Sequence, residues 1–331
     1  MKLQLALVAL ALGLASCGEK PEPTMTGGTG DDQKVTYQFG VIAKSQSNQV
    51  FQAARTGAQD AARDLSEKYP NVEVEVKWQT PTDEDAQRQA QFIESLTSQG
   101  IDGITVSVSN AEILTGAINE AVRNGVEVVC FDSDAPDSDR FAYYGIDDVA
   151  AGRKVMEELA AAMGGEGVVA ILAGNQNAPN LQKRVQGVIE KAKDYPNITI
   201  KETYYHQETP DQAAAKVQQV QNANPDITGW AMVGGWPLFT TNALDGVYEQ
   251  AKVVSVDHLP AQLDYVRDGQ VQALIGQDCY GWGYQTVVML FEKVHEGKTP
   301  ANVINTFELS VVNKDNVEDF EGTWEQWLRG D

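Results

Sequence analysis

From Val35 onward, short apolar runs alternate with longer amphipathic stretches, and few folds can absorb that alternation. The spacing predicts strands over 36–43, 72–78, 101–108, 126–131, 167–173, 198–204, 227–233, 252–256 and 271–276. Between the first two, Phe51, Ala54, Ala58, Ala61 and Leu65 recur at helical spacing and form one apolar stripe. Strands alternating with helices in this way read as βαβ units, and so as parallel sheets covered by helices on both faces. The chain also repeats itself. Tyr69-Pro70-Asn71-Val72 returns as Tyr195-Pro196-Asn197-Ile198, Ile101-Asp102-Gly103-Ile104 returns as Ile227-Thr228-Gly229-Trp230, and Thr80-Pro81 has a counterpart in Thr209-Pro210. Three matches in the same order imply an α/β chain of two similar doubly wound parallel-sheet lobes, for which 331 residues are enough. Two such lobes leave a cleft, lined by the loops at the carboxyl ends of strands.

The first residues carry a different message. Lys2 and the apolar run from Leu3 to Leu14 are too short for a permanent membrane span and form an export signal. Leu14-Ala15-Ser16-Cys17 resembles a bacterial lipobox, so residues 1–16 are expected to be a lipoprotein signal peptide, cleaved before a lipidated Cys17. Residues 17–34, rich in Gly, Pro, Thr and charge, read as a flexible tether with a typical reach of about 20 to 25 Å. The expected address is the periplasm or cell surface, with a lipid anchor to the membrane.

A net charge of −22 repels phosphate backbones, so no nucleic-acid partner is expected. Cys130 and Cys279 sit in no spacing that demands a bridge and are read as free thiols. His206, His258 and His295 form no ligand-like pair, so neither a metal nor a cofactor is expected.

If strand ends face the cleft, the residues just beyond each apolar run are the candidates for ligand binding. They are Lys44, Asn48 and Phe51; Asp132 and Ser133; Asn180 and Arg184; Trp236; Asp257; and Gln277. That set suits a sugar. Each hydroxyl both donates and accepts, so Asp, Asn, Gln and Arg can engage adjacent hydroxyls while aromatic faces cover the apolar ring surface. Lys44 and Arg184 balance Asp132 and Asp257 in formal charge, which favours a neutral ligand.

The segments GVIAKSQSNQVFQAARTGAQDAA, GIDGITVSVSN, GVEVVCFDSDAPDSDRFAYYGIDD, and VVSVD followed by ALIGQD resemble the type I periplasmic sugar-binding proteins of the ribose-binding branch, substrate-binding lipoproteins of ABC transporters. The likeness covers about residues 35–312. It implies that Asn48, Phe51, Asp132, Arg184, Asp257 and Gln277 contact ligand, with Phe51 stacked on the ring. It also implies three crossings between lobes, near Ile146, Gln277 and Leu309. The expected N-terminal lobe is then 35–146 plus 278–308, and the C-terminal lobe 147–277 plus 309–331. The resemblance further implies closure about this three-segment hinge, a monomer, and an ABC transporter permease as partner. Some residues depart from the ribose pattern: Ser133 stands where an arginine is usual, Val50 replaces an aromatic, Lys44 replaces a small hydroxyl residue, and Gly234-Gly235 replace a polar pair. Lys44 with Asp132-Ser133-Asp134 is similar to receptors for the furanosyl autoinducer signal, whereas Leu181 and Arg184 fit the sugar-binding branch. An autoinducer-type receptor feeding a sensor kinase or importer is therefore the alternative.

Two other classes fit less well. A repressor on this two-lobed core would need a helix-turn-helix where the export signal stands. A glycosidase would use Asp132 and Asp257 as paired carboxylates, but both acids are expected beside cations, and no GxSxG, GxxxxGK or HExxH motif occurs. No catalytic residue is assigned.

Overall fold

The structure is a computed structural model that describes residues 34–329; the export signal, Cys17 and the tether up to residue 33 lie outside them. Two six-stranded sheets organise the chain. The first holds β1 (Val35–Ile42), β2 (Val72–Trp78), β3 (Gly103–Val106), β4 (Glu127–Phe131), β5 (Ala142–Gly145) and β11 (Ile304–Thr306), in the order β11-β5-β4-β3-β1-β2. The second holds β6 (Glu166–Ala173), β7 (Asn197–Tyr205), β8 (Gly229–Met232), β9 (Lys252–Val256), β10 (Ala273–Gly276) and β12 (Ser310–Val312), in the order β12-β10-β9-β8-β6-β7. All neighbouring strands run parallel except β12, which is antiparallel to β10.

The order of β1 to β5 is the order of β6 to β10, which is the internal repeat expressed as topology. Its local cause is visible at the two Tyr-Pro-Asn turns. The Val72 N–H donates to the Tyr69 carbonyl at 2.9 Å, and the Ile198 N–H donates to the Tyr195 carbonyl at 3.0 Å. Each turn launches the edge strand, β2 or β7, after a helix.

Helices α1 (Gln49–Lys68), α2 (Ala86–Ser98), α3 (Ala111–Arg123) and α8 (Cys279–Glu296) accompany the first sheet. Helices α4 (Asp148–Met163), α5 (Pro179–Ala192), α6 (Pro210–Ala223) and α7 (Pro260–Arg267) accompany the second. Strand β1 shows why both faces are covered: Phe39 and Val41 pack among residues of α1 and α8, while Ile42 packs among residues of α2 and α3. The predicted stripe of α1, from Phe51 to Leu65, is buried throughout.

The chain passes between the sheets three times, from β5 into α4, from β10 into α8, and from β11 into β12. A last short helix, α9 (Thr323–Trp327), leaves the second sheet's side and rests on α1, where Arg329 pairs with Asp60. Cys130 and Cys279 are buried and unbridged. Among the described residues, no helix is long and apolar enough to cross a membrane, and no group of side chains has the make-up of a metal site.

Candidate functional site

The carboxyl ends of β1, β4, β6, β9 and β10 converge between the two sheets, and the loops beyond them supply the polar groups. Nine of the ten sequence-predicted residues line one cavity there. Lys44, Asn48, Phe51 and Asp132 come from the first lobe; Asn180, Arg184, Trp236, Asp257 and Gln277 come from the second and its exit. Ser133 is the exception. It is absent from the lining, its N–H turns back to the Phe131 carbonyl at 2.5 Å, and its buried hydroxyl has no hydrogen-bond partner among the described residues.

Asp132 is the hub. Ser107 Oγ donates to its Oδ2 at 2.7 Å and Asn180 Nδ2 donates to its Oδ1 at 3.0 Å. Two cations flank it, Lys44 Nζ at 3.8 Å and Arg184 at 3.7 Å. Asp257 ends β9 as Asp132 ends β4, and it accepts from Gln277 Nε2 at 2.7 Å. Both acids have left-handed backbone, φ 55° and 69°, and no other non-glycine described residue has a positive φ.

Arg184 is held from several sides at once. Its Nε donates to Asp148 Oδ1 at 2.9 Å, and its two terminal nitrogens donate to the Val233 carbonyl at 3.2 Å and to Gln277 Oε1 at 3.1 Å. The support begins with glycine: a Cβ on Gly152 of α4 would lie 1.9 Å from the Arg184 carbonyl oxygen, so only glycine lets α5 approach α4 this closely. One turn earlier on α4, Asp148 then meets the guanidinium. Burial opposes the Arg184 cation, but Asp148, Asp132 and Asp257 outweigh it and hold the pKa above its ordinary value. Burial also raises Asp148, to about 6, against the pull of Arg184, and raises Asp257 in the same way.

Lys44 reaches across the cleft and donates to Asn180 Oδ1 at 3.1 Å. Burial works against its charge, yet Asp132, Glu208 and Glu84 more than compensate. The lobes thus meet through Lys44, Asn180 and Asp132, and the cavity left between them is about 20 Å³, room for about one water.

Three aromatic side chains wall this cavity, Phe51, Trp236 and Trp282. Trp282 lies 6.1 Å from Phe51 and 6.2 Å from Phe131, centroid to centroid. The indole N–H groups of Trp236 and Trp282 are buried without an acceptor among the described residues, which leaves both as spare donors beside the cavity. Sequence reasoning missed Trp282, which sits inside a helix rather than at a strand end; its flanking glycines, Gly281 and Gly283, were the available signal.

It also missed Asp148 and Glu208, and with them the charge count. Asp132, Asp148 and Asp257 surround two cations, and Glu208, with a pKa that burial lifts to about 8, joins them mostly as a neutral acid, so the expected balance of two against two is corrected to an excess of one acid. Glu208 accepts from the Asn175 N–H at 3.1 Å, and burial with Glu84 opposite pushes its pKa up. A fixed anion would add to this surplus, whereas a neutral polyhydroxylated molecule would not.

Residues 39–299 match the family model described as periplasmic binding protein domain. Among curated proteins, the chain is 25% identical over 266 residues to a xylitol-binding protein of Mycolicibacterium smegmatis, covering 79% of this chain and 71% of that one. It is 21% identical over 288 residues to a D-apiose import binding protein of Actinobacillus succinogenes, covering 84% and 88%. Among solved structures, an ABC transporter solute-binding protein of Burkholderia graminis in complex with D-arabinose superposes with a TM-score of 0.78 at 27% identity, covering 85% of this chain and 96% of that one.

Proposed function

We propose, from the premise that this chain belongs to the periplasmic binding protein domain family, that it is an extracytoplasmic receptor which captures a neutral sugar between its lobes and delivers it to an ABC importer. The observation that carries this reading is the convergence, from both lobes, of three acids, a lysine, an arginine, amides and three aromatic walls on one cavity. Asp132, Asp257, Asn180, Arg184 and Gln277 would exchange their present mutual hydrogen bonds for sugar hydroxyls. Phe51, Trp236 and Trp282 would cover the ring, with the two free indole N–H groups as further donors. Similarity to proteins named for xylitol, D-apiose and D-arabinose supports a ligand of sugar or polyol type.

Catalysis forms no part of this reading, because each acid is already engaged by an amide or a cation. With about 20 Å³ between them, the lobes must part to admit a ring, and the three crossings are the natural hinge. We take 35–146 with 278–308 as one moving body and 147–277 with 309–331 as the other, α9 lying over the hinge where it touches both α1 of the first body and His258 of the second. The protein would act as a monomer, held at the membrane through a lipid on Cys17, with membrane fractionation of a Cys17→Ser variant as the check.

A thermal-shift panel of pentoses, hexoses and polyols tests the reading. Stabilisation follows occupancy, so at one hundred times Kd a true ligand adds about 2.7 kcal/mol and raises Tm in a dose-dependent way. A panel in which no member moves Tm would refute sugar capture.

A further inference from the structure

The inner cavity does not end the cleft. Glu208 forms part of its wall and also part of the wall of a second, open cavity of about 650 Å³ at the mouth between the lobes. That volume lies within the range of about 300 to 1,000 Å³ that small-molecule sites occupy. Both lobes contribute to it: Asp83 and Glu84 from the loop before α2, Asn175 from the loop after β6, Tyr205 from the end of β7, and His206 and Glu208 from the loop after β7.

This mouth is built. Asn175 Nδ2 donates across the cleft to Glu84 Oε1 at 3.3 Å, and the Asn175 N–H fixes Glu208. Glu208 folds over Gly174, where a Cβ would lie 2.7 Å from its Cγ, so the shared wall depends on a residue without a side chain. Two polar groups, one at the mouth and one in the wall of the inner cavity, have no partner among the described residues. His206 Nε2 is buried and unbonded, and the His206 ring lies edge-on to Trp236, centroids 5.4 Å apart. Trp236 is itself more than nine-tenths buried with its indole N–H unbonded, and it faces the inner cavity. Beside them Tyr205 stands 43% exposed, an aromatic face presented to the mouth.

We propose that this vestibule is a second glycosyl subsite, so that the ligand is a neutral disaccharide or glycoside with one ring in the inner cavity and the next against Tyr205. The claim rests on the sugar reading above and narrows its substrate class. An imidazole with an unbonded Nε2, beside amide and carboxyl groups around an open aromatic face, is the chemistry that a second ring of hydroxyls needs. Asp83 and Glu84, with no lysine or arginine in the lining, disfavour phosphorylated and uronic units.

Calorimetric titration of the full chain decides it, using D-xylose, L-arabinose, D-glucose and D-galactose beside xylobiose, arabinobiose, cellobiose, lactose and melibiose. One dimer is expected to bind at least tenfold more tightly than its constituent monosaccharide. Tyr205→Ala, at an exposed position where folding is not at stake, should cut affinity for that dimer about tenfold and leave the monosaccharide within twofold. The subsite is overturned if every dimer binds no better than its monosaccharide, or if Tyr205→Ala weakens both alike. In those cases sugar capture stands; if neither class binds, sugar capture itself fails and the subsite with it.

Discussion

Asp132 and Asp257 hold backbone conformations that cost an ordinary L-residue about 1 to 2 kcal/mol, and both do so at the end of a strand facing the cleft. The surroundings impose it. The Asp132 N–H donates to the Tyr144 carbonyl at 3.2 Å while its own carbonyl accepts from the Tyr143 hydroxyl at 2.9 Å, and the Asp257 N–H donates to the Ile275 carbonyl at 2.9 Å. Strain maintained at two equivalent points of a repeat is what a preorganised binding site requires. Asp132→Asn keeps a side chain that tolerates positive φ but removes the charge, and it should weaken sugar binding roughly ten- to a hundredfold, the loss of a charge-assisted hydrogen bond. Calorimetry on that variant reads the effect, and unchanged affinity would remove Asp132 from the site. Most of these residues were legible in the sequence because an acid, amide or arginine directly after a buried strand has few structural reasons to be there. Asp148, Glu208 and Trp282 were not, since each reaches the cleft from within a helix or from a distant loop through contacts that only the assembled lobes create. Ser133 shows the converse, a residue at the right place in the chain that is absent from the lining.

At the scale of elements, each lobe depends on a close helix pair. In the first, a Cβ on Gly57 would lie 2.1 Å from the Tyr280 carbonyl oxygen, and one on Gly283 would lie 1.8 Å from that of Ala54, so α1 and α8 nearly touch. In the second, Gly152 and Gly187 play the same part for α4 and α5. The second pair sets the site, because it delivers Arg184 to Asp148 and on to Gln277. Gly152→Ala should therefore destabilise the fold by about 1 to 3 kcal/mol through overpacking and should also lower affinity, as the guanidinium shifts with α5. Denaturant unfolding and calorimetry measure the two effects, and an Ala variant with neither would show that the helices have room to spare. The longer strands were legible from their apolar runs, as was the repeat that orders them. Strands β5, β11 and β12 were not: β11 and β12 have three residues each, too few to display a period, and β5, although as long as β3, β8 and β10, reads Ala-Tyr-Tyr-Gly and lacks an aliphatic run. The landing of α9 on α1 was equally hidden, since the Arg329 to Asp60 pair joins residues at opposite ends of the chain.

For the whole molecule, the repeat, the three crossings and the excess of acid at the cleft are what the proposed closure on a neutral ligand would use. The same surplus, with a net charge of −22, disfavours phosphorylated or carboxylated solutes before they reach the site. Ligand would shift an equilibrium between open and closed lobes rather than create a new shape. The most direct test is competitive capture. The purified chain is incubated with an equimolar mixture of neutral saccharides, sugar phosphates, uronic acids and amino acids, freed of unbound solute, denatured, and the released material identified by mass spectrometry. One neutral saccharide per chain is the expected recovery; an anionic solute, an amino acid or nothing at all would contradict capture of a sugar between the lobes.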